Sequence, residues 1–101
     1  MGLNDILGEA KKMQKMMEEI QQELQQAELT VTAGGGAVTV VVSGMNEVKS
    51  VKINPDFLKE DAELVEKTIT EAIQEALQKS KKLHEEKIGK LTSSFKLPGL
   101  M

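Results

Sequence analysis

The spacing of apolar residues changes period twice along this chain, and the two changes fix the order of its structural elements. From Leu3 the apolar side chains fall at Ile6, Ala10, Met13, Met17, Ile20, Leu24 and Ala27, in alternating steps of three and four. That is a heptad seam, the spacing of a helix that lies along another helix. From Leu29 the period becomes two. Leu29, Val31 and Ala33 alternate with threonines, Gly34, Gly35 and Gly36 follow, and Val38–Val42 is densely β-branched. This predicts a hairpin with glycines at its turn. A second turn at Gly44–Glu47 leads to Val48–Ile53, with Val51 and Ile53 on one face and Lys52 on the other. Asn54 and Pro55 end that strand, and Asp56–Glu60 is expected to form a short turn. From Asp61, a suitable N-cap, the period returns to that of a helix, with a stripe at Val65, Ile69, Ala72, Ile73, Ala76, Leu77 and Leu83.

The expectation is one α+β domain over residues 1–101: a helix at 1–27, a three-stranded antiparallel meander at 28–54, a long helix at 61–91 and a flexible tail at 92–101. A single core suits a chain of 101 residues. The sheet and the long helix leave the seam of the first helix without a partner of its own. Homodimerisation is the expected remedy, with Leu3, Ile6, Met13, Met17, Ile20 and Leu24 at the interface.

Composition narrows the function. Phe57 and Phe95 are the only aromatic residues, which removes the stacking platforms used to read unpaired bases. No cysteine occurs, so thiolate chemistry, disulfides and cysteine metal sites are excluded. His84 stands alone and suggests no metal ligand set. Acidic pairs such as Glu60 with Asp61 or Glu85 with Glu86 belong to caps and solvated helix faces, where nothing raises a pKa for acid–base work. Gly34–Gly36 precede a strand, not a helix, and so read as turn glycines and not as a phosphate loop. No enzyme activity, cofactor, metal or small-molecule substrate is expected. The opening residues carry no signal-type leader and no apolar run reaches membrane-spanning length, so a cytoplasmic protein without a membrane partner is expected.

The net charge is −3, against a uniformly basic nucleic-acid binder, yet all 13 basic residues are lysine and they are unevenly placed. Lys11, Lys12 and Lys15 occupy an arc of about 100° beside the seam. They precede Glu18, Glu19, Glu23 and Glu28, the reverse of what a helix dipole favours. A solvated face with Lys15–Glu19 pairing and a DNA contact both account for them. Lys79, Lys81, Lys82, Lys87 and Lys90 gather in the last turns of the long helix, where the dipole itself recruits cations. Among them Lys79, Lys87 and Lys90 are the better contact candidates, because they share a sector that Glu85 and Glu86 avoid.

The run Gly-Gly-Gly-Ala-Val-Thr-Val-Val-Val-Ser-Gly from Gly34 to Gly44, followed by Glu47-Val-Lys-Ser-Val-Lys-Ile-Asn-Pro55, resembles the signature of the YbaB/EbfC family of bacterial nucleoid-associated proteins. The first-helix segment Lys12-Met-Gln-Lys-Met-Met-Glu18 and the tail Lys96-Leu-Pro-Gly99 agree with it. The resemblance implies an intertwined homodimer with protruding helices, a nucleoid location, and double-stranded DNA as partner. It also assigns DNA contact to the first and last helices. The chain departs from the family in having no arginine, which leaves phosphate attraction in place of a guanidinium fork for base edges and so implies weak sequence selectivity. The competing reading is a non-enzymatic homodimeric adaptor that binds partner helices through Met13, Met16 and Met17.

Overall fold

A computed structural model describes residues 2–94. Helix α1 (Leu3–Gln26) is followed by strands β1 (Leu29–Ala33), β2 (Val38–Val42) and β3 (Val48–Ile53), a 3-10 turn at Pro55–Lys59, and helix α2 (Ala62–Ser94). The strands form an antiparallel meander in the order β1-β2-β3. The α+β reading and its element order hold. α2 runs to Ser94, so Thr92–Ser94 belong to the helix and not to a tail. The rest of the expected tail, Phe95–Met101, lies outside the described residues.

Each element forms for a local reason. Asp5 accepts a hydrogen bond from the Gly2 amide at the start of α1 (3.3 Å). Gly34, Gly35 and Gly36 all take positive φ (64°, 67° and 92°), a run that only glycine adopts cheaply. Asn54 accepts from the Asp56 amide (3.0 Å) and caps the 3-10 turn that proline opens. The Asp61 carbonyl accepts from Val65 (3.1 Å), which places Asp61 at the N-cap of α2.

The register pairs Val31 with Val40 and Val40 with Val51, so these three share the face toward α2. Thr32, Thr39 and Lys52 line up on the opposite face, which carries no helix. A bulge interrupts the second ladder: Val41 opposes Ser50 while Val42 opposes Val48, leaving Lys49 as the extra residue. The core consists of Val31, Val38, Val40 and Val42 against Ala72 and Ala76 of α2. Alanine at this position lets the helix approach the valine surface closely. Leu29, Ile53, Phe57, Ile69, Ile73 and Leu77 close the margins.

α2 lies over β1 and β2. The strip along β3 is left open: Val48 and Val51, together with Met45, Leu58 and Leu64, are exposed.

Candidate nucleic-acid interface

The 33 residues of α2 span about 50 Å, far more than a sheet of five- and six-residue strands can cover. Its second half leaves the sheet and packs along α1. Leu24, in the last turn of α1, is fully buried, and its carbonyl accepts from the Gly44 amide (2.7 Å) at the β2–β3 turn. Ser80 of α2 reaches the same turn through Asn46 (2.9 Å). Farther along the helix pair, Lys87 meets Glu23 at 3.1 Å. With Leu24 fixed at the sheet end and Glu23 on Lys87, the remaining turns of α1 lie along the far half of α2 and antiparallel to it, reaching past the described end of α2 in a molecule 68 Å long.

The seam of α1 therefore has a partner within its own chain over part of its length, contrary to the sequence expectation. Leu24 is consumed there, and Met13, Met17 and Ile20 are half-buried. Leu3 (72% exposed) and Ile6 (55%) stay open, as does Leu7 (49%). The heptad pattern could not distinguish an intrachain partner from a second copy, because both offer a helix at the same spacing. Met16 is half-buried like Met13 and Met17, which leaves an adaptor surface built on these three residues little to present.

The antiparallel pairing also sorts charge. Residues 2–17 and 79–94 hold eight lysines against four acids, whereas residues 18–78 hold four lysines against twelve acids. The sheet end is thus acidic, and the two lysine-rich helix segments run together along one arm. Glu18, Glu19 and Glu23 fall along the base of that arm, where Glu23 takes Lys87. Lys11, Lys12 and Lys15 are exposed. At about 100° per residue they point away from the Met13–Met17–Ile20–Leu24 side, so they lie behind the seam rather than beside it.

On α2, Lys79, Lys81, Lys82 and Lys90 are exposed. Lys87 is not part of a common face with Lys79 and Lys90. It turns toward α1, with its side chain 34% exposed, while Lys79 and Lys90 are aligned to within about 20° on the helix wheel. Lys82 lies about 60° from Lys79 on the same flank, so the exposed set is Lys79, Lys82 and Lys90 with Glu86 among them. Sequence reasoning had no signal for the Glu23–Lys87 pair, which joins residues 64 positions apart.

Among the described residues no group of His, Cys, Asp or Glu is arranged to hold a metal ion, and no helix is long and apolar enough to cross a membrane. The arm carries hydrated ammonium groups on the exposed sides of two helices, a chemistry suited to meeting a polyanion.

A model of the YbaB/EbfC DNA-binding family matches residues 1–95. The chain belongs to that family. Among curated relatives it is 40% identical to a nucleoid-associated protein of Legionella pneumophila over 95% of this chain and 86% of the relative. It is 38% identical to a nucleoid-associated protein of Clostridium acetobutylicum, over 97% of this chain and 88% of that one. A crystal structure of an uncharacterized protein from Helicobacter pylori shares the fold, with a TM-score of 0.74 at 21% identity, covering 93% of this chain and 96% of the other. The chain thus carries lysine and no arginine within a YbaB/EbfC frame.

Proposed function

We propose that this YbaB/EbfC protein is a non-enzymatic, nucleoid-associated binder of double-stranded DNA that meets phosphates through lysines of its helical arm with little sequence preference. The observation that carries the reading is the antiparallel pairing of α1 with the far half of α2, which collects lysines from both ends of the sequence on one arm of a net acidic protein. Lys11, Lys12 and Lys15 on α1 and Lys79, Lys82 and Lys90 on α2 meet the DNA, with Lys81 on the other side of α2 adding to the field and Lys87 available once its pair with Glu23 opens. Ammonium groups are strongly hydrated point charges that neutralise phosphate, and they lack the planar fork that recognises guanine.

The working unit is a homodimer. Val48, Val51, Leu58 and Leu64, and Leu3 and Ile6 at the open tip, are large apolar side chains between 40% and 72% exposed, which favours a partner that covers them. A twofold partner covers them and doubles the number of arms.

The test is a gel shift on random-sequence duplex across a salt series. If a dimer meets about six to eight phosphates, log K falls against log salt with a slope of about −5 to −7. A flat response removes this reading.

A further inference from the structure

We infer that the β2–β3 turn, Ser43–Glu47, is the joint that aims the lysine arm, and that Ser80 and Gly44 are positioning residues for DNA binding; the inference rests on the DNA reading above. Three elements meet at this turn: the sheet, the last turn of α1 and the point where α2 leaves the sheet.

On the α1 side the approach is close. The Gly44 amide donates to the Leu24 carbonyl at 2.7 Å. A Cβ on Gly44 would stand 2.8 Å from Leu24 Cδ2 and 2.9 Å from its carbonyl oxygen, and the carbonyl is backbone and unable to yield. Here glycine is required by proximity and not by φ. On the α2 side the fully buried Ser80 hydroxyl accepts from the Asn46 amide at 2.9 Å, with Asn46 held at φ 64°.

The turn between these two anchors is itself stiff. The buried Ser43 hydroxyl accepts from the amides of Met45 (3.0 Å) and Glu47 (3.2 Å), and the Ser43 amide donates to the Glu47 carbonyl (2.8 Å). These bonds hold Ser43–Glu47 rigid as a wedge between two helices. α2 carries its half of the arm straight off the sheet, whereas α1 meets the sheet end through Leu24 at this turn, so small rotations at the wedge become large displacements at Lys11 and Lys12 of the α1 half. Pre-set placement of charges is what a multi-phosphate interface needs, since each lysine that must be brought into line weakens the whole.

The test uses the full chain, which has no native cysteine. Gln14→Cys on the arm and Thr32→Cys on the outer sheet face carry spin labels, diluted with unlabelled chain so that only one labelled subunit reports per dimer. Ser80→Ala is expected to broaden the Gln14–Thr32 distance distribution at temperatures well below melting. If the arm then holds its binding orientation about a fifth of the time, duplex DNA binding weakens about fivefold, while the salt slope keeps its parent value because every lysine is retained. Gly44→Ala tests the α1 anchor independently and should shift the mean distance. Asn46→Gly keeps the amide and relieves the positive φ, so it should leave distance and affinity unchanged. An unaltered distance distribution in Ser80→Ala overturns the inference, as does an altered distribution with parent affinity. If the parent chain binds no duplex, the DNA reading fails, while the distances still decide whether the turn aims the arm.

Discussion

Lys87 Nζ lies 3.1 Å from the Glu23 carboxylate, joining the last turns of the first helix to the arm half of the second. Both side chains keep solvent exposure, at 34% and 59%, so water screens the pair and its net contribution to stability is at most about 1 kcal/mol. Its larger effect is on charge, because it engages one lysine of the arm with an acid of the same chain. Glu23→Gln should therefore raise DNA affinity by a fewfold and steepen the salt slope by up to about 0.9 per chain, as one more ammonium group meets phosphate. Thermal melting should move by no more than a few degrees. A loss of affinity in this variant would show that Lys87 does its work inside the fold.

The lysine sets separate by their slopes. Lys11, Lys12 and Lys15 changed together to Gln, and Lys79, Lys82 and Lys90 changed together to Gln, should each flatten the slope of log K against log salt by about 0.9 for every phosphate that is no longer neutralised. Lys49 and Lys52, on the sheet, should matter less. Circular dichroism should show parent-like folding in all three, since exposed lysines contribute little to stability. Full binding by both arm variants would place the DNA elsewhere on the protein.

The glycine turn divides into one crowded position, Gly34, and two open ones, Gly35 and Gly36. A Cβ on Gly34 would stand 2.8 Å from Thr68 Cγ2 at a φ of 64°, whereas Gly35 has a φ of 67° and open space. Gly35→Ala should cost about 1 kcal/mol through the left-handed backbone alone. Gly34→Ala should cost more, because Thr68 is buried against the sheet and must shift. Denaturant midpoints measure the difference. Equal costs would mean that Thr68 moves freely, and weaker DNA binding at parent stability would mean that the turn touches the ligand.

Self-association is read by sedimentation. The parent chain should be a dimer at micromolar concentration, and Val48→Asp with Val51→Asp should shift it toward monomer, because each places a carboxylate on the open strip along β3. The arm should survive in these variants, since both residues lie on β3 and outside the α1–α2 pairing. Ile20→Asp acts differently: Ile20 is half-buried in that pairing, and a carboxylate there should open the arm and cost about 2 kcal/mol or more. A well-folded parent monomer at that concentration would remove the dimer.

The sequence by itself determined the elements of this protein and the direction of its faces. A period of two in Leu29–Ala33, three adjacent glycines after it and Asn54–Pro55 after the third strand are local instructions, each acting through backbone sterics or side-chain alternation over a few residues. The stripe from Val65 to Leu77 is of the same kind, and so is the choice of lysine over arginine. The tertiary structure alone decided what each face meets. Leu24 reads as one more seam residue until its carbonyl is found on the Gly44 amide, and Ser80 reads as a polar interruption until its hydroxyl holds Asn46. Lys87 shares its type with Lys79 and Lys90, and only the antiparallel course of α1 gives it Glu23. These pairings join residues 20 to 64 positions apart, where the distance between side chains is set by how two helices and a turn pack, and no local pattern carries that information.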